Sequence, residues 1–147
     1  MSPDDVRELM RRNIEELWGQ SRRELIPELY APDCIDHNPV PGQAPGHAGL
    51  HAVMDAFSTA FPDLAMTLHG TLADGDFGVD FWTFRATHSG ELMGVPATGR
   101  RVEFSGIDVV RVGPDGRIAE IWHVEDLASM LTQLGVLQLG AQPAPAT

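Results

Sequence analysis

The chain has 147 residues and a net charge of −11, and its ten basic residues are all arginine. That length holds one domain with a substantial core, and that charge repels phosphate backbones and anionic membrane surfaces, so neither nucleic acid nor membrane is an expected partner. With no lysine, amine-dependent aldolase and pyridoxal-phosphate chemistry is excluded, the N-terminus apart.

In chain order, the first predicted element is a helix over residues 2–18. Ser2 caps it, Pro3 suits its first position, and Val6, Leu9, Met10, Ile14, Leu17 and Trp18 form one apolar stripe ending at Gly19. No apolar run follows this start, so it does not read as a signal peptide. A shorter helix is predicted over Arg22 to Tyr30, disturbed at Pro27 and closed before Pro32. Cys34 to Pro39 reads as extended, and Asp36 and His37 have a turn-forming explanation in the Asn38-Pro39 that follows. The single Cys34 cannot pair within the chain, which fits a reducing cytoplasm. It reads either as a buried small hydrophobe or as a reactive thiol.

A Pro/Gly-rich loop over Val40 to Gly46 leads into a third helix carrying Leu50, Val53, Met54, Phe57 and Phe61 on one face, with Pro62 as its stop. From Leu64 the period changes to two. Strands are predicted from Leu64, over Phe77 to His88 after the turn Asp74-Gly75-Asp76, over Arg101 to Val112, and over Arg117 to Val124 after Gly113-Pro114-Asp115-Gly116. A last short helix spans Leu127 to Leu134, and the Ala/Pro-rich residues 141–147 are expected to be a disordered tail beyond a single domain over 1–140. Helices first and antiparallel strands afterwards imply an α+β fold, with helices packed on one face of a curved sheet.

The polar residues on these apolar elements are the functional candidates. Asp126, between the last strand and the last helix, reads as a helix cap or as a catalytic carboxyl. On a regular strand Glu120, Trp122, Val124 and Asp126 share one face, and Ile121, His123 and Glu125 the other. Both faces hold titratable groups, so the period alone does not say which meets a cavity. His123 reads as a proton shuttle or a surface histidine. Asp108, amid β-branched residues, either pairs with Arg85 or Arg111 or lines a pocket. Trp82, Phe84, Phe104 and Trp122 are core residues, of which one or two could wall a hydrophobic ligand. His47 and His51 have metal-ligand spacing, but no third ligand stands nearby, so no metal is expected. No serine elbow or phosphate loop is present.

Asp36-His37-Asn38-Pro39, Phe61-Pro62-Asp63-Leu64, Thr87-His88-Ser89-Gly90, residues 94–100, Gly116-Arg117-Ile118 with Glu120 and Trp122, and Gln133-Leu134-Gly135 occur in this order. Together they resemble the SnoaL-like polyketide cyclase family of the NTF2-like superfamily, over roughly residues 6–135. The resemblance implies a cone of strongly curved, mostly antiparallel sheet closed by helices around a pocket. It also implies a cofactor-independent intramolecular aldol ring closure of a hydrophobic keto-ester. Related folds perform epoxide hydrolysis, dehydration, isomerisation or hydroxylation, or serve as non-catalytic binding or dimerisation domains.

In the family an aspartate acts as acid and base, matched here by Asp126, and an asparagine makes a polar contact, matched by Asn38. A histidine also assists. The equivalent strand, residues 106–111, has none, so His123 or His37 is its candidate replacement. His37, Trp82, His88, Phe104, Asp108 and Trp122 are the expected substrate contacts. A homo-oligomer, dimer or tetramer, is implied through the outer sheet face.

Overall fold

The computed structural model describes residues 1–138 and 140; the tail expected over 141–147 lies outside the described residues. Five strands, β1 (Tyr30–Asp36), β2 (Ala65–Asp74), β3 (Phe77–Thr87), β4 (Arg101–Val112) and β5 (Ile118–Glu125), form one sheet in the order β1-β5-β4-β3-β2. The helices are α1 (Pro3–Arg11), α2 (Ile26–Leu29), α3 (Gly46–Ala60) and α4 (Leu127–Gln133). The α+β class is as expected, with a mixed sheet that stays open instead of closing into a barrel.

Ser2 caps α1 as expected. Its Oγ accepts from Asp5 N at 3.1 Å, and the Asp5 carboxylate accepts in return from Ser2 N at 2.8 Å. Past Arg11 the helix does not stay α-helical, as the sequence period predicts, but winds as a π-helix over Arg12–Trp18. The wider turn adds a residue per revolution, and Asn13, Ile14 and Leu17 are all buried. The predicted second helix is shorter than expected. One 3-10 turn over Arg23–Leu25 leads into α2, where Pro27 sits in the first turn and so starts the helix instead of disturbing it. Tyr30 already belongs to β1.

The hairpins β2–β3 and β4–β5 turn at the predicted glycine sites; Gly75 and Gly116 have φ of +58° and +78°, a region open to glycine at little cost. What local pattern does not encode is the long-range pairing of β1. It lies parallel to β5, with Ile35 opposite Glu120 and Asp36 opposite Ile121, and His37 N donates to Ile121 O at 2.9 Å.

The inner sheet face packs on the helices as two apolar clusters. One joins Val6, Met10 and Leu17 to Tyr30, Val110 and Ile121; the other joins Phe61 to Trp82, Phe84, Phe104 and Met130. Beyond the end of β5 the side chain of Gln133 extends the ladder, accepting from Glu103 N at 2.7 Å and donating to Glu103 O at 2.8 Å, which ties α4 to β4. Among the described residues no helix is long and apolar enough to cross a membrane.

Gly106 is opposite Trp82, and a Cβ there would come within 2.3 Å of the indole ring. The ring occupies the space that any side chain would need. Gly106→Ala should therefore destabilise the fold by about 1–3 kcal/mol through overpacking. Urea unfolding would read this as a lower midpoint; an unchanged midpoint would mean that Trp82 is not held against β4.

Candidate active site

A cavity of about 290 Å³ opens between the inner sheet face and the helices. Its walls are apolar, built by Ile14 and Trp18 of the π-helix, Phe57 of α3, and Trp82, Phe84 and Phe104 of the sheet. Its polar end is made by Asp36, Asn38, Gln43, Asp108, His123 and Glu125. Such a few-sided polar end in an apolar hollow is the usual form of a small-molecule site. A second groove of about 450 Å³ adjoins it beside β1, sharing Tyr30, Asp36 and Gln43.

The β1–β5 pairing creates the centre of this site. His123 Nε2 meets Asp36 Oδ1 at 2.9 Å, and its Nδ1 is bonded to Glu125 Oε1. Asp36 also accepts from Asn38 N at 2.8 Å and from Gln43 Nε2 at 3.1 Å. Burial disfavours a charged imidazole, but the two carboxylate bonds outweigh it and push His123 up to about 10. The ring is therefore an imidazolium at neutral pH, donating from both nitrogens. Burial likewise works against a charged Asp36, yet the bonds from His123 and Asn38 N hold its carboxyl below the usual range.

Asp108 is opposite His123 on β4 and is 6% exposed. Here burial wins, with the charges of Glu125 and Asp36 adding to it. The proton affinity of Asp108 is raised despite His123 and the Trp82 indole pulling the other way. Asp108 is thus a carboxyl able to exchange a proton near neutrality, beside a fixed positive charge. Asn38 accepts from His123 N at 2.9 Å through Oδ1, which leaves its Nδ2 as the free donor of a cavity-lining side chain.

The structure therefore gathers Asn38, His123, Trp82, Phe104 and Asp108 from the sequence candidates and adds Asp36, Glu125 and Gln43. Asp108 pairs with neither Arg85 nor Arg111, which bind Glu103 and Glu120. Four candidates lie elsewhere. Asp126 is exposed and caps α4, accepting from Ser129 N at 3.0 Å, because it continues the outward phase of β5 that carries Trp122 and Val124. Trp122 and His37 stack on each other at 4.3 Å on that outer side, with His37 Nε2 against Glu120 at 3.1 Å. His88 is fully buried outside the cavity lining, beside Phe61, its Nδ1 accepting from Thr98 N at 3.2 Å.

Asp36 and Glu125 were visible in the sequence as a turn residue and a face-mate of His123; only the parallel strand pairing shows that Asp36 meets the ring from the side opposite Glu125. His47 bonds Tyr30 O through Nε2 at 2.9 Å. Cys34 is a buried free thiol, pushed up by burial and by Asp36 and Asp33.

The SnoaL-like polyketide cyclase profile matches residues 8–134, and the chain belongs to that family. Among solved structures, it is similar to TsrD from Streptomyces laurentii at 27% identity, covering 93% of this chain and 99% of that one, with a TM-score of 0.84. IdmH from Streptomyces antibioticus, described as a candidate polyketide cyclase, is 35% identical over 92% of this chain and 100% of its own, with a TM-score of 0.73. AclR from Streptomyces galilaeus, described as a candidate hydroxylase, is 28% identical over 93% and 89%, with a TM-score of 0.80. No curated protein sequence matches the chain significantly.

The folded protein keeps the His123 proton up to about pH 10, whereas an unperturbed histidine releases it near 6.5. The stabilisation is therefore complete below about pH 6.5 and fades as pH climbs toward 10. Thermal unfolding between those limits should show wild type losing stability with rising pH and His123→Gln losing less. Parallel curves would contradict a charged triad.

Proposed function

We propose that this protein is a cofactor-independent polyketide cyclase-like enzyme that closes a ring in a hydrophobic keto-ester by intramolecular aldol addition. The observation that carries this reading is Asp108, a buried carboxyl of raised proton affinity at the polar end of an apolar cavity, facing an imidazolium. Its carboxylate takes the proton from the carbon beside a carbonyl, leaving an enolate. That carbon attacks a second carbonyl of the same molecule, and the resulting alkoxide recovers the proton from Asp108. The substrate is isomerised, and no atom is gained or lost.

His123 is locked between two carboxylates and acts as a fixed charge that favours the developing enolate, while Asn38 Nδ2 donates to its oxygen. The apolar walls fold the chain so that the reacting carbons meet. The role that family resemblance assigns to Asp126 passes in this reading to Asp108.

Asp108→Asn should lower ring closure of a polyketide methyl ester on the order of 10²–10⁴-fold, the usual contribution of a positioned acid–base group. Asp126→Asn should keep it, with circular dichroism confirming both folds. The reverse pattern would refute the assignment.

The likeness to the candidate hydroxylase AclR supports a second reading, in which Asp108 activates an oxygen species or water at the same place. Mass spectrometry separates the two: an aldol product keeps the substrate mass, whereas a hydroxylated or hydrated one gains oxygen.

The expected oligomer also stands as a proposal. Phe81, Ile107 and Val124 lie in register across three strands of the outer face and are 47%, 52% and 70% exposed. Val79, Val109 and Trp122 form the next row, so the middle of this face carries no charge in a chain of net −11. A second copy presents the same uncharged rows, and pairing there avoids like-charge contact. Size-exclusion chromatography with light scattering should give a multiple of the 16.0 kDa chain, and Ile107→Glu should give the monomer. A monomeric wild type would refute this.

A further inference from the structure

Asp80 is a fully buried carboxyl that this mechanism leaves unused. It lies on β3 directly opposite Asp108 on β4. Antiparallel partners share a sheet face, with Cβ atoms about 4.5–5.5 Å apart. Asp80 is 0% exposed, and neither carboxyl oxygen has a hydrogen-bond partner among the described residues. A carboxylate in such a position would be an uncompensated buried charge next to a second one.

Among the described residues, those placed around it offer no free cation. Asp108 is opposite on β4, and Thr71 is opposite on β2. The α1 and π-helical segments pack on β2 and β3, and their buried residues are Val6, Leu9, Met10, Asn13, Ile14 and Leu17. Tyr30 of β1 bonds Asn13 through its hydroxyl, and burial raises its own proton affinity. His123, the cross-strand partner of Asp108, is already held by Asp36 and Glu125. The arginines of α1 and the π-helix bond surface carboxylates.

We propose that Asp80 and Asp108 form one electrostatically coupled carboxyl pair carrying a single proton at neutral pH, with Asp80 holding it as a neutral acid while Asp108 alone carries charge at the cavity. Asp80 is then a positioning residue that acts through Asp108. Burial and the adjacent Asp108 charge both raise its proton affinity, and unlike Asp108 it has no imidazolium opposite, so it ionises after Asp108. While neutral it adds no negative charge beside a developing enolate. Once ionised, it opposes both that enolate and the compact fold. Asp80 thus sets the alkaline limit of the reaction. The consequence for catalysis rests on the reading of Asp108 given above; the protonated Asp80 does not.

Carboxyl ¹³C NMR of the full chain labelled at aspartate tests the pair without any substrate. Wild type should show two carboxyls titrating above the ordinary aspartate range, with Asp80 the later. Asp80→Asn, which mimics the neutral acid in shape, should leave one raised transition, that of Asp108, near its wild-type midpoint. Asp108→Asn should leave Asp80 raised but lower than before, and it decides the matter if the Asp80 variant fails to fold. An Asp80 that titrates in the ordinary range overturns the pair, as does a fall of the Asp108 midpoint in Asp80→Asn, since that would show Asp80 charged first.

In the pH–rate profile with the methyl ester, Asp80→Asn should lose the alkaline fall that wild type shows and keep the acid limb; an unmoved alkaline limb overturns the role in turnover. Two raised transitions with fully active Asp108→Asn would leave the pair standing and remove Asp108 from the reaction. An inactive Asp108→Asn with an ordinary Asp80 would do the opposite.

Discussion

The site depends on one long-range strand pairing. β1 lies parallel to β5, and this sets Asp36 against His123 inside an apolar hollow. Without it, His123 would meet only Glu125 and would lose one of the two carboxylates that offset its burial. With it, two carboxylates hold an imidazolium in place, and that positive charge makes a buried Asp108 tolerable on the neighbouring strand. The same contact orders the start of the loop after β1. Asn38 is tied to Asp36 by its backbone and to His123 by its side chain, so the rim of the cavity is fixed by the group at its centre.

The cavity owes its apolar walls to devices that keep bulky residues in place. Gly106 leaves room for the Trp82 ring, and the π-helix brings Ile14 and Trp18 to the cavity wall. The polar residues Asp80 and Asp108 follow one another across the sheet at the boundary between the two apolar clusters. A fold optimised for stability alone would place aliphatic residues there. Buried carboxyls of high proton affinity at such a seam are what proton exchange with a carbon acid requires.

Much of the fold was legible in the sequence because it rests on local signals. The capped first helix, the glycine turns and the period-two runs all appear where their residues place them, and β4 matches its predicted span of Arg101–Val112. The π-winding was hidden because the apolar stripe of 2–18 fits an α period equally well. The β1–β5 pairing was hidden because β1 carries little alternation of its own and its partner is some 80 residues distant in the chain. In the site, Asn38, His123, Trp82, Phe104 and Asp108 were named from the sequence and do meet at the cavity. Asp126, Trp122 and His37 miss it for a single reason: strand alternation puts them on the outer phase, one residue out of step with His123 and Asp36. Capping chemistry alone already described Asp126 correctly; family resemblance drew it toward the cavity.

The central claim is that a buried carboxyl at position 108 exchanges a carbon-bound proton with the ligand in this cavity. Deuterium wash-in tests it most directly, using a keto-ester that has the acidic carbon but no second carbonyl to attack. In D₂O, wild type should incorporate deuterium at that carbon as followed by mass spectrometry, and Asp108→Asn should not exceed the uncatalysed rate. Equal incorporation by the two proteins would contradict the account.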